Sequence, residues 1–344
     1  MAEEITACWL TLNRACNLKC KWCYAQNAQK ESMDFSSIPP LLDFLCSMNI
    51  RNLIILGGEP TYSNDLIPLI RACKDRSIRA VMITNGIRLA DSSYLSSIID
   101  AGIGTINISQ KAYDKSGYES VTGVDCYDHF LHAIENLTES GVNYIVSHVL
   151  TSESISQVPN AIETLRRIGA KRFSMGFCYD FEACRSNESH PENPYVLWNE
   201  FSKYYEDIHH ASEGRFTLSM GLPMCVSDEA LVKKMISRNQ ITSVCQLLRR
   251  SGLIFDTDLS VLPCNAMFNY KLGRFGREFV DKESFERFWN SERILAFYNK
   301  LRSAPSETCI QCETRTRCGG GCLSNWFNYK FSDLTRLKEE SIYV

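Results

Sequence analysis

Through the first half of the chain, short apolar runs alternate with longer stretches whose apolar residues recur at helical spacing. The runs at 7–12, 53–56, 80–84, 105–109, 144–150 and 172–178 read as buried strands, and the stretches between them as helices. One helix is predicted over 39–48 behind a Ser-Ser start, and another over 154–168 ending at Gly169, where a left-handed cap fits. Six strand–helix units predict an α/β fold: a parallel sheet with right-handed connections, curled into a partial (β/α)6 barrel of the TIM type. Functional groups in such a barrel gather at the C-terminal ends of the strands. Residues 182–200 break the pattern with a polar, proline-bearing segment, expected as a loop at a domain junction or a lid over the barrel mouth. After it, Trp198, Phe201, Tyr204 and Tyr205 recur at helical spacing over 196–208, as a packing face would. A second, small α+β unit is expected from Phe216, dividing the chain into 1–215 and 216–344.

Composition narrows the class. The chain has 344 residues, 44% of them hydrophobic, which suffices for a sizeable core, and a net charge of −3. No basic or acidic concentration argues for nucleic acid or a membrane surface, and no run is long and apolar enough to span a bilayer. Residues 1–7 lack the basic start and apolar core of a secretory signal, so a cytoplasmic location is expected. Sixteen cysteines in a reducing compartment read as metal ligands and buried thiols, not as a disulfide framework.

The candidate chemistry begins where the first strand ends. Cys16, Cys20 and Cys23 form a C-x3-C-x2-C run, three thiolates where a closed structural metal site needs four. Three cysteines can hold three irons of a four-iron, four-sulfur cluster and leave the fourth iron open to a small ligand; taken alone, the run also suits half of a split zinc site. Gly57-Gly58-Glu59-Pro60 follows the second strand. Its glycines permit close backbone approach, its proline stiffens the exit, and Glu59 offers a carboxylate to an ammonium group. With Trp22 before the third cysteine, the two motifs resemble those of the radical S-adenosylmethionine (radical SAM) superfamily. The resemblance implies that Cys16, Cys20 and Cys23 carry the SAM cluster and that Gly57, Gly58, Glu59, Pro60, Ser109 and Tyr24 bind SAM, with Glu59 holding the methionyl amine. Thr84-Asn85-Gly86, closing the third strand, also faces SAM in this reading, while His148, inside an apolar strand, reads as a core histidine.

A second cysteine group lies in the last third. Cys309, Cys312, Cys318 and Cys322 form C-x2-C-x5-C-x3-C around Gly319-Gly320-Gly321, and Cys245 and Cys264 flank a predicted hairpin upstream. A zinc ribbon would use such pairs too. Together the six resemble the SPASM extension of radical SAM enzymes, which binds auxiliary iron–sulfur clusters. That resemblance implies one or two further 4Fe–4S clusters: a nearer one on Cys245, Cys264 and Cys322, with Cys225 as a possible fourth ligand, and an outer one on Cys309, Cys312 and Cys318. Two departures stand out. Leu259 occupies a position where the family usually has glycine, and no cysteine follows Cys322, so the outer fourth ligand is expected to be an oxygen donor such as Asp333, a cysteine from elsewhere, or nothing. Cys8, Cys46, Cys73 and Cys126 match no motif and read as small buried hydrophobes.

The chemistry implied by the resemblance is reductive cleavage of SAM to methionine and a 5′-deoxyadenosyl radical, which takes a hydrogen atom from an unreactive C–H bond. Peptides are the expected substrates, with crosslinking, epimerisation or backbone excision as outcomes. The expected partners are a separate leader-peptide-binding protein, because the first strand starts too early to leave room for a leader-binding domain, and a reductant such as flavodoxin or ferredoxin. Cys178, after the sixth strand, is a candidate hydrogen-atom donor or substrate contact. A sugar or aminocyclitol dehydrogenase, a formylglycine-forming sulfatase maturase, and an iron–sulfur scaffold without SAM chemistry are the alternatives. Glu59 and its loop disfavour the last.

Overall fold

The structure is a computed structural model that describes residues 4–25, 28–178, 192–242, 245–302, 306–328 and 330–342. Six parallel strands stand where the apolar runs predict them: β1 (Ala7–Asn13), β2 (Asn52–Gly57), β3 (Arg79–Thr84), β4 (Thr105–Gln110), β5 (Tyr144–Leu150) and β6 (Phe173–Phe177). Helices α1 (Ile38–Ser47), α2 (Leu66–Asp75), α3 (Ser92–Ala101), α4 (Lys115–Thr122), α5 (Tyr127–Ser140) and α6 (Val158–Arg167) lie between them. In α6, Val158, Ala161, Ile162 and Leu165 form the buried stripe that helical spacing requires, and Gly169 follows with φ +99°. A further helix, α7 (Pro194–Ala211), starts at Asn193, whose side chain accepts the Tyr195 N–H, and it buries Trp198, Phe201 and Tyr205. Of the expected lid, residues 182–191 lie outside the described residues.

The sheet is wider than six strands. Two short strands, β7 (Phe216–Ser219) and β8 (Ile241–Thr242), continue it in parallel beyond β6, while β9 (Gly252–Phe255) pairs in parallel with the free side of β1. Antiparallel β10 (Ser260–Val261) and β11 (Gly273–Arg274) complete one eleven-stranded sheet, ordered β11-β10-β9-β1-β2-β3-β4-β5-β6-β7-β8. The expected division at residues 215 and 216 therefore falls inside a continuous sheet. Strands β7, β8 and β11 are two to four residues long, too short to leave a periodic signal, while β9 and β10 are the arms of the expected hairpin.

Alternation along the strands separates two faces. Leu10, Leu12, Leu53, Ile55, Ile106, Ile108, Val146 and Leu150 are buried on the helix-covered face. The opposite, inner face is more open between β4 and β7, where Ser109, Ser147, Ser174 and Thr217 stand in register on four adjacent strands, with Gly176 and Ser219 one step above. The C-terminal region is held down by aromatic packing. Phe44 of α1 meets Phe275, Phe279 and Phe285 at ring separations of 5.3, 5.5 and 5.4 Å. Each such ring stabilises by about 1.5–3 kcal/mol through burial.

Candidate active site

Two loops at the C-terminal ends of β1 and β2 are zipped together. Gly58 N–H donates to Asn13 O at 2.8 Å, Glu59 N–H to Ala15 O at 2.8 Å, and Asn13 Nδ2 to Glu59 O at 3.0 Å. A Cβ on Gly57 would collide with Asn13 and one on Gly58 with the carbonyls of Arg14 and Ala15. The close approach these glycines permit is thus made by the chain's own cysteine-bearing loop.

Glu59 is buried, and its carboxylate, expected to meet an ammonium group, is committed within the protein. Oε1 accepts from Thr61 N–H at 3.1 Å, Thr61 Oγ1 at 2.8 Å and Thr84 Oγ1 at 2.6 Å; Oε2 accepts from Asn85 N–H at 2.7 Å. A buried carboxylate needs such donors to offset its lost hydration, and here they join the loops after β2 and β3. Asn85 extends the connection by donating from Nδ2 to Asn17 Oδ1 at 2.7 Å, inside the cysteine run. Pro60 is buried at the start of the turn that Glu59 caps.

The three cysteines of the first run are half-buried and close enough to feel one another. Burial pushes the Cys16 thiol up to about 11; the Leu18 N–H, which donates to its Sγ at 3.4 Å, opposes this, while Glu59, Cys20 and Cys23 add to it. Cys20 is also raised by burial, against the opposing charge of Lys111. The run is anchored by Lys19 and Lys21 N–H groups donating to Thr122 O and Val121 O at the end of α4. Thiolates in such a place need a cationic partner, which iron provides. Among the described residues no three His, Cys, Asp or Glu side chains converge tightly enough for a single metal ion. Three thiols along one loop can each bind a different iron of a cluster.

Polar atoms without protein partners lie beside this loop. Thr11 Oγ1 and Asn13 Oδ1 on β1 and Asn107 Oδ1 on β4 are buried, share the inner face and have no hydrogen-bond partner among the described residues. Buried polar groups are ordinarily paired, so this wall fits a polar ligand. Ser109 is half-buried on the same face, its hydroxyl 3.2 Å from that of Ser147. Cys178 follows β6 with its N–H donating to Leu150 O at 2.8 Å, two positions beyond Gly176 and so on the inner side. The Tyr24 phenol is pushed above its usual range by burial; Arg14 counters this, and Cys23, Cys264 and Asp256 add to it, so Tyr24 stands within electrostatic reach of both cysteine groups. His148 is buried between Tyr113 and Phe173 at ring separations of 6.1 Å, and burial lowers its pKa to about 4. Neither ring nitrogen has a partner among the described residues, and burial keeps the ring neutral in the core.

The C-terminal cysteines fall into two sets. Cys264 is pushed up to about 12 by burial, with Cys322 and Cys245 adding to it, and Cys322 in turn feels Cys245. Cys225, expected beside this nearer set, instead has Cys318, Cys309 and Cys312 as its charged neighbours. The turn carrying it touches Cys318, whose Sγ accepts the Met224 N–H at 3.3 Å. Sequence reasoning also missed Asn13, Arg14, Asn17, Thr61 and Asp256. Of these, only Asn13 and Arg14 carried a signal, as polar residues at a barrel strand's C-terminal end.

A partial (β/α) barrel that gathers three thiols after its first strand, beside unpaired polar atoms on its inner wall, defines a barrel enzyme built for a multi-iron centre and a small polar ligand. Residues 10–165 match the Radical SAM superfamily. A probable GTP 3′,8-cyclase of Sulfurisphaera tokodaii is 30% identical over 159 residues, 44% of this chain and 50% of that protein. The chain spans about half the length of the curated relatives it matches. Among solved structures, Streptococcus suis SuiB bound to precursor peptide SuiA superimposes with TM-score 0.69 at 17% identity, covering 96% of this chain and 74% of that one. Native anSMEcpe with bound AdoMet and Cp18Cys peptide gives TM-score 0.71 at 16% identity, covering 98% and 96%. At these identities the likeness establishes the fold. No described helix is long and apolar enough to cross a membrane.

Proposed function

We propose that the protein is a radical SAM enzyme that modifies a ribosomally made peptide, and that its C-terminal cysteines bind auxiliary iron–sulfur clusters. The observation that carries the peptide reading is the extent of the fold likeness. It runs through the C-terminal third to two proteins solved with peptides bound, whereas the cyclase relatives match only about half the chain. The shared half is the barrel that performs the common radical chemistry, so a cyclase name there says little about substrate.

Cys16, Cys20 and Cys23 would hold the SAM cluster. When bound, it supplies the electron that splits SAM into methionine and a radical able to take a hydrogen atom from substrate. The chain's own residues do the positioning. Glu59 locks the loops after β2 and β3, Asn85 holds the cysteine run at Asn17, and Thr11, Asn13 and Asn107 offer acceptors to SAM. The small side chains of Ser109, Ser147, Ser174 and Thr217, with Gly176 beside them, leave space on the inner face for substrate, and Cys178 stands at its rim. The covered barrel wall keeps water from a reactive intermediate. A flavodoxin or ferredoxin is the proposed electron donor, and a separate leader-binding protein the proposed presenter of the peptide.

The test uses genomically adjacent peptides deuterated at Cα and Cβ positions. Label appearing in 5′-deoxyadenosine with a SAM-dependent change in peptide mass supports the reading. Label transfer from a sugar, aminocyclitol or nucleotide, with none from any such peptide, overturns it.

A further inference from the structure

We propose that Cys225, from the turn after β7, is the fourth thiolate of the outer cysteine set and binds a cluster together with Cys309, Cys312 and Cys318. The assignment rests on the reading that the C-terminal cysteines bind iron–sulfur clusters; it does not depend on the substrate.

The segment 221–225 is built onto residues 318–325, which carry Cys318 of the outer set and Cys322 of the nearer one, by several contacts. Cys322 N–H donates to Gly221 O at 2.6 Å, and Asn325 Nδ2 reaches the same carbonyl at 2.8 Å. Gly321 has φ +76°, and a Cβ there would lie 2.5 Å from Gly221 O and 2.8 Å from Pro223 N. Only glycine admits the two backbones at that separation. Met224 N–H then donates to Cys318 Sγ at 3.3 Å, which puts the peptide just before Cys225 in contact with a member of the outer set. Cys225 follows in the short turn Met224–Val226. The residue is exposed, and Cys318, Cys309 and Cys312 are the thiols within electrostatic reach of it.

Asp333, the oxygen donor expected there, caps its own turn, its Oδ2 accepting the Lys330 N–H at 2.8 Å. Cys225 thus supplies, from upstream of the motif, a fourth ligand to the set of Cys309, Cys312 and Cys318. The consequence is an exchange of openness between the two sets. Each thiol loses its proton to solvent as its iron–sulfur bond forms, so four thiolates close the outer cluster, while among the described residues Cys245, Cys264 and Cys322 form a set of three that leaves one iron of the nearer cluster free for another ligand.

The test is thiol footprinting of the anaerobically reconstituted full chain with iodoacetamide, read by mass spectrometry. In the wild type Cys225 should resist alkylation although it is exposed. In Cys318→Ala it should become reactive, while Cys245, Cys264 and Cys322 stay protected. As a second measurement, Cys225→Ala should retain the nearer cluster but give an outer cluster that loses an iron, seen as a three-iron electron paramagnetic resonance signal absent from the wild type. Alkylation of Cys225 in the wild-type holoprotein, or its continued protection in Cys318→Ala with exposure in Cys264→Ala, overturns the assignment alone. If Cys16→Ala/Cys20→Ala/Cys23→Ala protein is folded but holds no iron, the auxiliary-cluster reading falls and the assignment with it.

Discussion

Arg14 and Asp256, 242 positions apart in sequence, form a buried ion pair at 2.7 Å. Arg14 Nε also donates to the same Oδ1 at 3.1 Å, and its guanidinium lies over the Phe268 ring at 5.1 Å. The pair joins the loop of the first cysteine run to the hairpin between Cys245 and Cys264. Removing one partner strands a charge in the interior, so Arg14→Ala and Asp256→Ala should each destabilise by about 3–5 kcal/mol. The double variant Arg14→Met/Asp256→Leu should cost less than either. Thermal melts of all three proteins decide this, and a double variant less stable than both singles would contradict it.

Glu59 acts as a junction between loops, so its replacement should damage structure and SAM binding together. Glu59→Ala leaves the Asn85 and Thr61 N–H groups and two hydroxyls without their acceptor, each charge-assisted bond being worth about 1.5–3 kcal/mol. Thr84→Val removes one of these bonds and should lower stability by a fraction of that loss. Equilibrium dialysis with SAM, run beside thermal melts, separates the cases. A Glu59→Ala protein with native melting temperature and lost SAM affinity would restore a direct contact to the ammonium group.

His148 gives the fold a pH dependence of defined sign. Its pKa falls from 6.5 to about 4 because burial disfavours the cation, so between these values the unfolded chain binds a proton that the native chain does not. The stabilisation is complete above pH 6.5 and is lost as pH falls towards 4, amounting to about 3 kcal/mol. In metal-free protein, His148→Phe should flatten the slope of stability against pH across that window. An unchanged slope would remove His148 as its source.

Leu259 adopts φ +64°, in the left-handed region, and is buried. For a non-glycine residue that conformation costs about 1–2 kcal/mol. Leu259→Ala keeps the strain and leaves a cavity, whereas Leu259→Gly relieves the strain while losing only one more methyl group, about 0.8 kcal/mol. Glycine should therefore be no worse than alanine here, against the usual order in a buried site. Chemical denaturation of the two variants checks the ranking.

The six long strands were legible because each combines an apolar run with a following helix, and 105–109, 144–150 and 172–178 differ from the structure by no more than a residue at either end. The cysteine run and the glycine-rich loop were legible as spacings. What spacing cannot carry is contact between distant segments. Nothing in the local sequence pairs Arg14 with Asp256, places Cys225 beside Cys318, or commits Glu59 to Thr84 and Asn85. The short strands β7 and β8 were missed for the same reason: their order comes from neighbours in the sheet, not from their own periodicity, while β9 and β10 are the arms of the expected hairpin.

The pairing of β9 with β1 sets an order of events during synthesis. One side of β1 stays a bare hydrogen-bonding edge until residues 252–255 have left the ribosome, long after its other side has met β2. Such an edge is a template for pairing with another chain, and closing it demands a contact of high sequence separation. A ribosome stalled before residue 252 would release a product open to aggregation, and β1 together with the cysteine loop that follows it would gain its last neighbour only when the C-terminal third arrives.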